Sequence, residues 1–555
     1  MPAPLPLTQT DAPALDWSRP DTPAASDFGD IYFSTDGGLD ETRAVFLNGC
    51  GLPERWADTA IFTVAETGFG SGLNFLATWQ MWLKTHAAGQ RLHFVSIEKF
   101  PFDAEQLARA LAAWPELTEL SAQLIAAWPG RVKGFHRLEF GSVSLTLIHD
   151  DISTALDAVP SLKAEAWFLD GFSPSKNEAM WSEEVLAKIG TRSAAGARLA
   201  TFTVAGHVRR GLMEAGFTVT KQPGFGRKRH RLEAVYEGAE TASKTEVGKV
   251  LIVGAGIAGR SLARALRRRA IDFDIIDNRA HPAASENPAA LVKPRLDLQD
   301  RPEARFFLSS YLYALREYQA EAVLSRGVRQ IPKTLKETER FEKLAAQNSL
   351  GMDHLKWTGD ALIMKSAVVI DPSKVYANFE IRRENAEDAI SRGPYSHILF
   401  AAGYGIKALL PNLDMRFSRG QLSWATEAVD EPLAYGGYVI PMNGHTLVGA
   451  THDRLDEGDP FEIRPRDDER NFEAYSTITG RTLAPAKRQS RASVRVTSRD
   501  TLPVIDQIDD TKWVLTGLGS RGFTFAPLLA EALVSEICGE VSPLERAVIA
   551  RFRRR

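Results

Sequence analysis

Two glycine-rich segments, each lying between an apolar run and an amphipathic one, constrain this chain more than any other feature. The first reads IFTVAETGFGSGLNFL (residues 61–76): an apolar run ending in Glu66, then Gly68, Gly70 and Gly72. The second reads VLIVGAGIAGRSLARAL (residues 250–266), with Gly254, Gly256 and Gly259 spaced as G-x-G-x-x-G. A strand, a tight turn and a helix in that order bring backbone amides close to a bound cofactor. Two such units of different spacing imply two cofactor sites and two reactions.

The rest of the chain is compatible with that reading. At 555 residues, 44% hydrophobic and 25% charged, it has the make-up of a globular protein of roughly two to four domains. Its two cysteines, Cys50 and Cys538, are too distant in sequence to suggest a disulfide framework or a metal cluster, so no metal is expected. The N-terminus lacks the basic and apolar regions of a signal peptide, and no apolar run nears the roughly 20 residues that span a bilayer. The expectation is a cytoplasmic protein with no membrane partner. Net charge is only −3, but KQPGFGRKRHR (residues 221–231) and the terminal RFRRR are locally basic. Both can meet nucleic-acid phosphates; the plainer alternative is a solvated turn and a frayed tail.

Apolar and amphipathic stretches alternate from residue 61 to about 236, which argues for an α/β layer with a mainly parallel sheet. Strand candidates are residues 61–65, 92–97, 143–148, 166–169 and 198–203, with 217–221 and 231–236 as an antiparallel pair around the basic turn. Phe75, Leu76, Trp79, Trp82 and Leu83 fall at helical spacing and read as core. EGAETASKTEVGK (residues 237–249) is small, polar and aperiodic, a linker between a domain at 1–236 and another at 250–555. The second domain includes β-rich stretches at 419–451 and 491–505. The Ala/Pro-rich first 25 residues are expected to be mobile in part.

In the first domain an acid follows each of three successive strands: Glu66, Glu98, and Asp150 or Asp151. At the carboxyl edge of a sheet such a row suits ribose hydroxyls and an adenine amino group. The loop follows an acid rather than presenting a bare G-x-G-x-x-G, so S-adenosylmethionine, which has no pyrophosphate, fits better than a dinucleotide. The fourth strand runs into FLDGFSPSKNEAMW (residues 168–181), where a methyl acceptor is expected. Asp170 can orient an amine there and take its proton, since only a neutral amine attacks a sulfonium methyl. Phe172 and Trp181 can hold a planar substrate by stacking. The alternative is that Asp170 caps a turn and the aromatics are core.

The segments at residues 30–56 (DIYFSTDGGLDETRAVFLNGCGLPERW), ETGFGSGLNFL, DGFSPSKN and GFGRKRHR resemble, in order, motifs of the family of bifunctional tRNA 5-methylaminomethyl-2-thiouridine biosynthesis proteins. The resemblance extends through both halves. It implies a Rossmann-like class I methyltransferase domain followed by an FAD-binding Rossmann domain with a β-rich substrate subdomain. It further implies tRNA rather than DNA as partner, with Lys176 and Asn177 beside the substrate and Arg227, Lys228, Arg229 and Arg231 on the nucleic acid. A monomer is expected.

In the second half Asp277 follows the second apolar run and is placed for ribose hydroxyls. WVLTGLGSRGFTFAPLLAEAL (residues 513–533) resembles the late return to the cofactor in flavoenzymes of the D-amino-acid and glycine oxidase type, which implies FAD on Gly517, Gly519, Ser520, Arg521 and Gly522. The family's substrate carries a glycine joined through its nitrogen to the wobble uridine. Oxidation at the glycine α-carbon and hydrolysis of the imine give glyoxylate and a primary amine, which is the acceptor for the first half. A carboxylate needs a cation, and RVTSRDTLPVID (residues 495–506) supplies Arg499, the favoured residue, and Arg495. One departure is ASENPAALVKP (residues 284–294), with Glu286 and Ala289 where the family shows glycines. It leaves open an alternative in which the second half binds FAD without catalysis and serves as an RNA-binding platform. A small-molecule amine as substrate is a third reading.

Overall fold

A run of apolar residues buried on both faces becomes a central strand of a parallel sheet, and the first half contains five of them. The computed structural model describes residues 9–19, 22–33, 37–226, 228–239, 246–351, 354–455, 460–488 and 490–553. They fall into two units: Thr8–Thr245 with Cys538–Arg546, and Glu246–Ile537 with Ala547–Arg555.

The first unit is built on an eight-stranded sheet. Its parallel centre runs Ser193–Thr201, Ala164–Phe168, Ile61–Glu66, Arg91–Glu98, Val143–His149. His230–Tyr236 and Phe217–Pro223 add the antiparallel pair at one edge, and Gly134–Phe140 pairs antiparallel with Val143–His149 at the other. That last strand has no counterpart among the sequence candidates. The parallel strands all point the same way, so their carboxyl ends form one edge, where Glu66, Glu98, Asp150, Asp170 and Phe202 end or follow strands.

Helix Leu73–Thr85 buries Phe75, Leu76, Trp79 and Trp82 against this sheet. Leu83 departs from the expected stripe and is 49% exposed, because one residue past Trp82 the helix has turned roughly 100° away from the core. Leu15–Asp16, Ala24–Ala25 and Asp30–Ile31 form a small antiparallel sheet.

Residues Cys538–Arg546, which the sequence places in the second domain, belong to the first unit. Arg137 Nη2 donates to the Val541 carbonyl (2.5 Å), His93 Nε2 lies 3.4 Å from Glu540 Oε2, and Arg546 donates to the carbonyls of Asp157 and Val159 (both 3.4 Å).

The second unit holds two sheets. In the first, Phe273–Ile276, Val250–Val253, His397–Phe400 and Lys512–Thr516 lie parallel and Val504–Gln507 closes the edge antiparallel. The second is ten-stranded and contains Arg416–Ala425 between His445–Gly449 and Arg491–Thr497. The stretch 491–505 therefore serves both sheets in turn. The C-terminal tail is not frayed where it is described. Helix Arg546–Phe552 buries Phe552 against Phe306 (ring centroids 4.7 Å), Arg551 pairs with Glu303 (2.6 Å), and Arg553 pairs with Asp506 and Glu536. Among the described residues no helix is long and apolar enough to cross a membrane.

Candidate cofactor and acceptor sites

At the carboxyl edge of the first sheet the acids do not stand alone; each has a donor from its own chain. Glu66 is fully buried, and Ser96 Oγ donates to its Oε2 (2.6 Å) while Asn74 Nδ2 donates to its Oε1 (2.8 Å). Burial pushes its pKa up to about 8, against the hydrogen bonds from Ser96 and Asn74. Glu98 accepts from the Gly70 and Phe100 amides (both 2.8 Å), so it closes the glycine turn from below. Gly70 needs its positive φ of 51°, and a Cβ on Gly68 would lie 3.1 Å from the Asp170 carbonyl, so this turn is a cradle with no room for side chains. Asp150 has its carboxylate 3.7 Å from Lys133. Asp151 caps the helix Ile152–Ala158, accepting from the Ser153 amide, and pairs with Lys99 (3.2 Å).

Asp170 is recessed beside that cradle. Asn74 Nδ2 donates to its Oδ2 and the Gly171 amide to its Oδ1, both at 2.8 Å. Burial raises its pKa to about 6, opposed by those two bonds and by the charge of Lys228. One amide thus holds the acid of the first glycine segment and the acid of the acceptor segment. Thr42 Oγ1 fixes that amide by donating to Asn74 Oδ1 (2.8 Å). Sequence reading missed Asn74 and Thr42; the only signal for Asn74 is a polar residue inside the apolar run GLNFL.

One of the expected stacking residues needs correction. Trp181 is 2% exposed, lies in the apolar core and donates Nε1 to the Phe172 carbonyl (2.9 Å), so its ring has no face for a substrate. Lys176 donates to the Gly29 carbonyl and sits 4.0 Å from Asp30, which ties it to the N-terminal sheet. Phe172 stacks on Phe28 (centroids 4.6 Å, 24°) with Tyr32 edge-on (5.2 Å). Asn177 Nδ2 lies 3.5 Å from Met180 Sδ.

The basic turn divides. Arg227 lies outside the described residues. Arg231 pairs with Glu233 (2.7 Å), and Arg229 is exposed. Lys228 folds toward Asp170 instead: its Nζ lies 2.9 Å from Glu41 Oε1 and 4.2 Å from the centre of the Phe202 ring.

In the second unit the G-x-G-x-x-G loop is held by close backbone packing. Gly254 has φ 108°, and a Cβ there would lie 2.5 Å from the Ala401 carbonyl; one on Gly259 would lie 1.8 Å from the Gly254 carbonyl. Gly256 opens the helix Ile257–Arg268, whose first amide, that of Ile257, donates to Ser285 Oγ (3.0 Å). Asp277 accepts from the Ala255 amide (2.9 Å) and the Arg279 amide (2.8 Å). Gly517, Gly519, Ser520 and Arg521 form the turn from the Lys512–Thr516 strand into the helix Gly522–Ile537, where a Cβ on Gly522 would touch Ile257 at 3.1 Å. Glu286 pairs with Arg491 (3.3 Å), and Ala289 is buried in an apolar cluster.

Arg495 and Arg499 differ sharply, and the preference for Arg499 is corrected. Arg499 is 73% exposed and paired with Asp414 (2.6 Å), an ordinary surface ion pair just past the end of its strand. Arg495 is half-buried within the strand, donates to the Thr451 carbonyl (3.1 Å) and has its guanidinium over Gly420, near Tyr438. A cavity of about 190 Å³ is lined by Lys293, Arg295, Arg340 and Arg521, among others. Burial, with Arg521 and Arg340 nearby, brings Lys293 down to about 7.

Both halves of the chain have counterparts among known proteins. A model of S-adenosyl-L-methionine-dependent methyltransferases matches residues 115–237, and one of FAD-dependent oxidoreductases matches residues 249–375 and 363–536. The chain is 43% identical over 563 residues to the tRNA 5-methylaminomethyl-2-thiouridine biosynthesis bifunctional protein MnmC of Maricaulis maris, covering 96% of this chain and 94% of that one. It is also 43% identical to that of Caulobacter vibrioides, covering 97% of each. Among solved structures, iminodiacetate oxidase from Chelativorans sp. BNC1 aligns at 18% identity and TM-score 0.45, covering 55% of this chain and 98% of that one. With both cradles present in order and relatives aligned nearly end to end, the chain belongs to the family of bifunctional tRNA 5-methylaminomethyl-2-thiouridine biosynthesis proteins.

Proposed function

We propose that the protein modifies the wobble uridine of tRNA in two steps. The second unit removes the carboxymethyl group from carboxymethylaminomethyl-(2-thio)uridine, giving aminomethyl-(2-thio)uridine and glyoxylate. The first unit then methylates the exposed amine. When bound, FAD supplies the hydride acceptor and S-adenosylmethionine the electrophilic methyl group. The observation that carries this reading is that both cradles occur in one chain that matches the bifunctional relatives over 96% of its length.

The residues suit these tasks. The turn at Gly68, Gly70 and Gly72 with Glu98 and Asp150 would hold the methyl donor. Asp170, kept in place by Asn74 and the Gly171 amide, takes the proton of the attacking amine. A carboxylate whose pKa has risen to about 6 remains ionised at neutral pH and is a better base than an ordinary aspartate. In the second unit the loop at Gly254, Gly256 and Gly259, Asp277 and the turn at Gly517 to Gly522 would hold FAD, and Arg495 would receive the substrate carboxylate. Tethering the two activities raises the concentration of one step's product at the other. The protein works on cytoplasmic tRNA as a monomer in this reading.

The test is mass spectrometry of tRNA nucleosides after incubation of carboxymethylaminomethyl-tRNA with the purified protein. Aminomethyl-uridine and glyoxylate are expected without S-adenosylmethionine, and methylaminomethyl-uridine with it. Failure to release glyoxylate while supplied aminomethyl-tRNA is still methylated would remove the oxidative half of the reading.

A further inference from the structure

Lys228 lies in the turn between two antiparallel edge strands, where a lysine ordinarily points into water. Here its ammonium is instead seated against a carboxylate and an aromatic face, 2.9 Å from Glu41 Oε1 and 4.2 Å from the Phe202 ring centre. Both partners belong to the acceptor region. Phe202 follows the strand Ser193–Thr201, which lies parallel beside the strand that leads to Asp170. Glu41 precedes Thr42, whose hydroxyl orients the amide that holds Asp170. Asp170 feels both charges, Lys228 lowering and Glu41 raising its pKa.

The chemistry of the seat matches the acceptor. An aminomethyl group reaches the site as a primary ammonium on a methylene, the same shape and charge as the end of a lysine. A carboxylate with an aromatic face is a recognition pair for such a cation. Lys228 is 48% exposed, so its ion pair stands half in water and is weakly held. Its basic neighbours in sequence, residues 227, 229 and 231, are all arginine, whose broad guanidinium does not mimic a primary ammonium.

We propose that Glu41, Asp170 and the face of Phe202 form an ammonium slot for the acceptor amine, and that Lys228 occupies this slot until the acceptor displaces it. The inference rests on the methyltransferase reading above. It changes the role of Lys228 from a phosphate contact to a stand-in for the substrate.

The test titrates 5-aminomethyluridine, with neutral 5-hydroxymethyluridine as control, into protein loaded with S-adenosylhomocysteine. Lys228→Met is expected to tighten 5-aminomethyluridine three- to tenfold, because it removes the competitor, and to leave the control unchanged. Glu41→Gln is expected to weaken 5-aminomethyluridine about tenfold, because it removes the slot's carboxylate. S-adenosylhomocysteine affinity, unchanged in both, reports that the variants are folded. With aminomethyl-tRNA the same two variants should move KM in opposite directions with kcat less affected. A Lys228→Met variant that binds 5-aminomethyluridine as the parent does, or more weakly, would overturn the slot. Weaker binding of tRNA lacking the aminomethyl group would restore the phosphate-contact role. If the parent binds 5-aminomethyluridine but never methylates aminomethyl-tRNA, the proposed reaction fails while the slot stands.

Discussion

The two glycine-rich turns do the same job by different physical means. In the second, the constraint is backbone against backbone: a Cβ on Gly254 or Gly259 would fall 2.5 Å or 1.8 Å from a carbonyl oxygen. In the first, the glycines clear space but side chains define the site: Asn74 donates to both Glu66 and Asp170, and Glu98 accepts from the Gly70 amide. A turn made by packing tolerates no side chain but is indifferent to charge. A turn made by buried acids depends on who holds each proton.

The largest effect that would separate the two is Gly254→Ala. Its Cβ meets backbone that cannot swing aside, so the purified variant should be colourless and take up no added FAD, while methylation of aminomethyl-tRNA stays within about twofold, an effect on kcat/KM of under 0.5 kcal/mol. A yellow variant would mean that packing does not control that cradle. Next, Arg495→Met should reduce glyoxylate release by about 10²-fold or more, the cost of one partner lost from a buried charged pair with substrate, while Arg499→Ala changes it little. Equal losses in both would return the carboxylate to the exposed arginine.

On the acid-built side, Asp170→Ala should lower methylation by about 10²-fold, at the low end of general-base contributions, with glyoxylate release intact. In the parent, methylation should fall tenfold per pH unit below the Asp170 pKa of about 6, measured with saturating cofactor. A smaller effect concerns stability. The pKa of Glu66, about 8 in the fold against an ordinary 4.5, means that its contribution is full below 4.5 and is lost as pH rises through 8. The Tm of unliganded protein should therefore fall across that window, and Glu66→Gln should flatten the fall. The smallest expected change is Arg229→Ala, which should reduce the salt dependence of tRNA binding by about one counterion, whereas Arg553→Ala, already paired with Glu536 and Asp506, should not.

How much of this was readable from the sequence follows from range. Strand, turn and helix order depends on local periodicity, and the five parallel strands emerge within a few residues of their expected limits. The acids at strand ends follow from the same order. What periodicity cannot tell is which way a side chain finally turns. Arg495 and Arg499 are four residues apart with the same chemistry, yet one lies inside Arg491–Thr497 and is half-buried, and the other falls beyond its last pairing and is exposed. Trp181 reads as an exposed aromatic of a substrate loop until the core closes on it. Lys228 reads as one cation among five until Glu41, distant in sequence, meets it. The edge strand Gly134–Phe140 escaped because FHRLE carries charge and two imidazole or guanidinium side chains, which are buried here beside Cys538–Arg546.

That late return of the chain has a consequence for how the protein is made. The first unit is not complete when its own stretch leaves the ribosome, because the partner of buried His93 is Glu540. Roughly 300 further residues must be translated first, about 15–60 s at ordinary elongation rates. A message truncated anywhere before Cys538 would therefore leave the first unit without the segment that meets buried His93. The fold of the first half is thus tied to translation of nearly the whole second half.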